Sequence, residues 1–182
     1  MDIKTLFGLP AHPLLVHIPI VLIPLAAIGV LGLWWEPWRR RFGWATAVIL
    51  GVAGIFTQLA IGSGQALEES TREGDALVKA HTRIAEDIRP WLLLLFIALV
   101  AFLLLERRAR EHGPVDIKQP LLLGTLVVAI AFAGMSVYWV QRIGHSGAKA
   151  VWHEKYQEGG REGGADGGVP TRPAPDGDHD AG

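Results

Sequence analysis

The chain contains no cysteine. That absence removes several chemistries at once: disulfides, thiolate metal ligands, Cys-held iron–sulfur clusters and the C-x-x-C-H attachment of a c-type haem. Catalytic signatures are missing too, with no H-E-x-x-H, no G-x-S-x-G and no glycine-rich phosphate loop. Net charge is -1 and there is no basic stripe, so no nucleic-acid partner is expected. Charge is absent from four long runs: Leu14–Trp35, Phe42–Ala66, Pro90–Leu105 and Gln119–Gln141 contain no Asp, Glu, Lys or Arg.

What fills those runs is apolar. Half of the 182 residues are hydrophobic. A membrane-crossing helix needs about 20 apolar residues at 1.5 Å rise each. Three runs reach that length. The third has 16 uncharged residues and is expected to continue outward as an amphipathic helix through His81–Arg89, with Trp91 at the interface. The expected fold is all-α: a polytopic four-transmembrane-helix bundle over residues 1–156, with spans near 13–35, 42–64, 88–106 and 119–142. The N-terminal run is too long for the h-region of a cleavable signal peptide and reads as a retained anchor. From 157 to 182 Gly, Pro, Asp and Glu dominate, and the expectation is a disordered tail.

Arg39, Arg40 and Arg41 follow the first span, and Arg107, Arg108, Arg110 and Lys118 follow the third. Both segments are read as short loops, and the positive-inside rule makes them cytoplasmic. Both termini and the segment Gly62–Arg89 then lie outside. In a bacterium this would be the extracytoplasmic face of the inner membrane.

Helix one carries Pro13 in its first turn, where a missing N–H costs nothing. Pro19 and Pro24 lie deeper and are expected to kink it or loosen its hydrogen bonds. Helix two places Ala47 with Gly51 and Ala60 with Gly64, the small-xxx-small spacing of close crossings. Its outer end carries Gln58, Gly62 and Gln65 on one face, and helix four carries Tyr138, Gln141 and His145 on one face.

Those polar stripes sit at the same membrane face as four of the seven histidines. His12 and His17 open the first span, His81 leads into the third and His145 closes the fourth. An ionisable residue at a membrane span marks a functional site by default. His12 is five residues before His17 and so off its helical face. Gly144-His145-Ser146-Gly147 allows the backbone to approach something bulky. Two chemistries fit such a cluster. Histidines on facing helices can ligate a non-covalent, b-type haem. Imidazole also suits zinc, copper, iron and nickel, with His17, His81 and His145 as the metal ligands. A third reading has no cofactor: histidines that respond to pH or hold a partner subunit.

His12-Pro13-Leu14-Leu15-Val16-His17-Ile18-Pro19-Ile20 resembles the opening H-P-x-x-V-H-F-P-I of the DUF2231 family of small bacterial membrane proteins. His81 matches that family's internal histidine. Gly144-His145-Ser146-Gly147 through Val151-Trp152 resembles its closing G-H-x-G-G segment. Ile18 replaces the usual Phe, and Ala148 stands where a second Gly is common. The likeness covers roughly Leu9–His153. The family's function is unknown, but some relatives are joined to, or encoded with, redox domains, which implies electron transfer and favours haem.

The resulting expectation is a membrane electron carrier binding haem b, with His17 and His81, or either with His145, as axial ligands and His12 nearby. Gln58, Gln65, Tyr138 and Gln141 would orient imidazoles or propionates. Expected partners are the lipid bilayer and a redox protein.

Overall fold

The structure is a computed structural model. It describes the backbone at residues 5–6, 9–70 and 76–165, and the side chains at 12, 14–65 and 81–149. A two-residue antiparallel pairing, β1 (Thr5–Leu6) with β2 (Leu9–Pro10), precedes five helices. These are α1 (Ala11–Gly32), α2 (Glu36–Ser70), α3 (Ala76–Glu86), α4 (Ile88–Glu111) and α5 (Pro120–Ala165). The chain divides into two units, Met1–Ala150 and Val151–Gly182. The first holds the bundle. In the second the backbone is helical to Ala165, past residue 156, where a tail was expected to begin. Residues 166–182 of the expected tail lie outside the described residues.

Four segments are long and apolar enough to cross a membrane: Leu14–Gly32, Glu36–Gln65, His81–Glu111 and Pro120–Lys149. Each turns one stripe inward. On α4 the buried residues are Ile88, Leu92, Leu95, Leu99, Phe102, Leu103 and Glu106, the three-and-four spacing of a single helical face. On α5 Leu122, Leu126, Ala129 and Ala133 repeat that spacing. The outward faces are equally apolar: Val21, Ile28, Val48, Ile55, Leu93 and Val127 are all more than half exposed. A water-soluble monomer rarely shows so continuous an apolar surface; a bilayer covers it at no cost. With the apolar spans, this makes the protein a four-helix membrane bundle.

Two boundaries differ from the sequence expectation. Arg39, Arg40 and Arg41 are not in a loop but in the first turns of α2, which begins at Glu36. Arg107, Arg108 and Arg110 lie on the last turns of α4, where cations complement the helix dipole. The cause is visible at Arg39. It is 4 % exposed, and its Nε donates to Glu106 Oε1 at 2.5 Å, which draws the basic segment into the bundle as helix. The expected amphipathic segment is α3, separated from α4 at Asp87. Helix α1 is continuous through Pro19 and Pro24; neither proline has an N–H for the carbonyl four residues back.

Helices α1 and α2 approach closely. A Cβ on Gly29 would lie 2.6 Å from Thr46 Oγ1, and Thr46 turns its hydroxyl onto Phe42 O at 2.9 Å. Tight crossings of this kind replace the hydrophobic drive that lipid cannot supply between helices.

Candidate functional site

His12 lies in the first turn of α1 and reaches across to α2. Its Nδ1 is 2.9 Å from Ala60 O and 3.3 Å from Ser63 Oγ. A carbonyl oxygen only accepts, so Nδ1 carries the proton and donates. Ser63 Oγ donates to the same carbonyl at 2.9 Å. The ring lies against Gly64, where an added Cβ would come within 3.0 Å of Cε1. The Ala60-xxx-Gly64 spacing, read from sequence as a packing motif, is thus the seat of an imidazole.

His81 on α3 repeats the arrangement against α5. Its Nδ1 is 2.8 Å from Ser146 Oγ. Ser146 donates its one hydroxyl proton to Ile143 O, also at 2.8 Å, so Nδ1 of His81 must be the donor here as well. The ring packs on Gly147, whose added Cβ would fall 3.0 Å from Cε1. The bulky group anticipated beside the Gly144–Gly147 segment is therefore the His81 ring. Each histidine rests on a Ser-Gly dipeptide, Ser63-Gly64 or Ser146-Gly147: the serine lies at Nδ1 and the glycine makes room. These are the only two Ser-Gly pairs in the chain, a signal the sequence reading did not use.

The two seats share one end of the bundle: His12 rests on Gly64, and the next residue, Gln65, donates to Glu86 on the helix that carries His81. Both imidazoles are half-buried. With Nδ1 committed as a donor, each neutral ring keeps its lone pair on Nε2, the atom free to bind a metal or accept a proton.

The other expected residues are placed differently. His17, His145, Gln58, Tyr138 and Gln141 have exposed side chains. Tyr138 stands edge-on to Trp139, with ring centroids 6.1 Å apart. Gln65 is half-buried and donates from Nε2 to Glu86 Oε1 at 2.5 Å, tying α2 to α3 near the histidines. His112 donates to Arg108 O and is exposed. The side chain of His153 lies outside the described residues. Among the described residues, no group of three or more His, Cys, Asp and Glu side chains is arranged to hold a metal ion.

A second buried polar group was missed by sequence reasoning. Glu106 Oε1 accepts from Arg39 Nε and from Arg110 Nη2. Arg39 Nη1 donates to Leu33 O at 3.0 Å, satisfying a carbonyl that the end of α1 leaves open. One carboxylate thus joins the ends of α1, α2 and α4. It is a packing device, far along α4 from α3.

No curated protein and no solved structure matches the chain. The family model described as "Predicted membrane protein (DUF2231)" matches residues 8–158. That match covers both histidines, both Ser-Gly seats and all four spans, and the chain belongs to the DUF2231 family.

Proposed function

We propose that the protein is a membrane electron carrier that binds b-type haem between His12 and His81. One observation carries the reading: two imidazoles at one end of the bundle, each with Nδ1 held as a donor by the protein, which leaves the lone pair of each neutral ring on Nε2. A hydrogen bond from Nδ1–H is the usual support of a ligating histidine, since it sets the tautomer and the ring orientation. The ligand count favours haem over a bare ion. Haem can take two axial imidazoles, whereas structural and catalytic zinc sites use three or four protein ligands, and no such group occurs among the described residues. Without cysteine the haem would be non-covalent.

When bound, haem would supply a one-electron couple. The residues around it do the rest. Ala60 O and Ser146 Oγ hold the rings in one tautomer, Gly64 and Gly147 let them approach the helices, and Gln65 with Glu86 ties α3 to α2. Arg39, Arg40, Arg41, Arg107, Arg108 and Arg110 cluster near the opposite ends of the helices, so the positive-inside rule supports an extracytoplasmic histidine face in a bacterial inner membrane. The electron partner would be a redox protein at that face.

The test is an absorption spectrum of detergent-purified protein, expressed with ample haem, before and after dithionite. A Soret band with sharp reduced α and β bands is expected, lost in His12→Ala and in His81→Ala and kept in His145→Ala. A featureless visible spectrum would overturn the reading. Unchanged spectra in both His12→Ala and His81→Ala would overturn the ligand pair.

A further inference from the structure

Away from the histidines, α4 and α5 leave an open, almost wholly apolar groove of about 390 Å³. Leu94 and Ala98 form its α4 wall; Pro120, Gly124, Val128 and Phe132 run along its α5 wall. From Pro120 to Phe132 the helix rises twelve steps, about 18 Å at 1.5 Å per residue. One leaflet of hydrocarbon is about 15 Å, half the thickness of a bilayer core. At its other end Phe132 stands against Trp91, with ring centroids 6.2 Å apart. An added Cβ on Gly124 would meet nothing within 4 Å, so the middle of the groove is open.

Its mouth is basic. Pro120 is the first residue of α5, where unpaired N–H groups and the positive end of the helix dipole favour a phosphate. Lys118 lies two residues before it, and Arg108 lies on the last turns of α4. Among the described residues neither pairs with a carboxylate. Asp116, the nearest acid in sequence, accepts from the Lys118 backbone N–H. Glu111 is engaged by Arg107 at 3.9 Å.

We propose that this groove holds one acyl chain of an anionic phospholipid, with the headgroup at Lys118, Arg108 and the start of α5. The groove matches a single chain in length and chemistry, and the basic mouth selects the headgroup. A second copy of the protein would also cover an apolar face, but it would bring the same basic mouth or bury it unpaired.

The experiment reconstitutes the full chain in nanodiscs of phosphatidylglycerol or of phosphatidylcholine and counts retained lipid by native mass spectrometry after extraction into mild detergent. One phosphatidylglycerol per chain is expected, retained at least about ten-fold better than phosphatidylcholine, as two basic side chains at a headgroup imply. Gly124→Leu fills the groove and should abolish retention, while Val127→Phe, on α5 but not lining the groove, should not. Lys118→Glu with Arg108→Glu should remove the headgroup preference even if Gly124→Leu misfolds. Equal retention of the two lipids, or undiminished retention in both the groove-filled and the charge-reversed variants, would overturn the proposal. So would a dimer that carries no lipid.

Discussion

His81 and Ser146 are joined by a 2.8 Å hydrogen bond whose direction is set by a third group, the Ile143 carbonyl. Because the serine proton goes to that carbonyl, the imidazole has to give its own. Ser146→Ala removes the acceptor and leaves a half-buried Nδ1–H unmatched, a loss of about 1–3 kcal/mol. A drop in thermal midpoint is the expected result, with Ser146→Thr recovering most of it, since a threonine hydroxyl can keep the same carbonyl bond. If haem is bound, its affinity should fall about 10–100-fold in the alanine variant, by analogy with outer-shell partners of metal-ligating histidines. A merely structural serine would shift the midpoint and leave the reduced spectrum and potential alone.

Glu106 calls for a different test, because it is a buried carboxylate between two guanidinium groups. Glu106→Leu leaves Arg39 buried and uncompensated and should cost about 3–5 kcal/mol, whereas Glu106→Leu with Arg39→Met removes both charges and should cost much less or nothing. Denaturation of the two variants in the same detergent compares them. Equal losses would mean that Arg39 finds water or lipid phosphate once Glu106 is gone.

The spans were legible because charge-free length is a one-dimensional signal, and α4 and α5 each show a single inward stripe. The pairings were not. Helix α1 is apolar all round, so nothing in its own sequence marks its inward face. His12 and His17 differ by about 140° around the helix, and only packing on α2 decides that His12 reaches Ser63-Gly64 while the His17 side chain is exposed. Arg39 and Glu106 are 67 positions apart, and no local pattern links them. Reading Arg39–Arg41 as a loop followed charge; burial of Arg39 against Glu106 makes that segment helix. The Ser-Gly pairs were visible, but their meaning required a ring to rest on them.

The absence of cysteine makes topology directly measurable. Single cysteines have no background, so Ala148→Cys and His112→Cys, both at exposed positions, can be labelled in intact cells with an impermeant maleimide. With the histidine end outside, Ala148→Cys reacts and His112→Cys reacts only after permeabilisation. The reverse pattern would place the histidine pair in the cytoplasm and remove the proposed extracytoplasmic redox partner.

Packing at the α1–α2 crossing predicts a paired rescue. Gly29→Ala puts a methyl 2.6 Å from Thr46 Oγ1 and 2.7 Å from Cγ2, an overpacking that costs about 1–3 kcal/mol. Thr46→Ala removes both atoms and leaves Thr46 Cβ, at 3.2 Å, as the nearest neighbour. The double variant should therefore unfold at a higher temperature than Gly29→Ala alone. Simple additivity of the two losses would show that α1 and α2 separate instead of clashing.

The seat of His12 gives the sharpest contrast, between two glycines one turn-half apart on α2. An added Cβ on Gly64 comes within 3.0 Å of the His12 ring, whereas one on Gly62 meets nothing within 4 Å. Alanine is the better helix former by about 0.8–1 kcal/mol, so Gly62→Ala should be neutral or stabilising. Gly64→Ala has the same intrinsic gain but pushes the imidazole off its seat, stretching the 2.9 Å bond from Nδ1 to Ala60 O. The expected signature is a lower thermal midpoint than Gly62→Ala and, in haem-loaded protein, a weakened or altered reduced α band in Gly64→Ala only. Identical behaviour of the two variants would mean that the ring is not held by this helix, and His12 would lose its claim as a ligand.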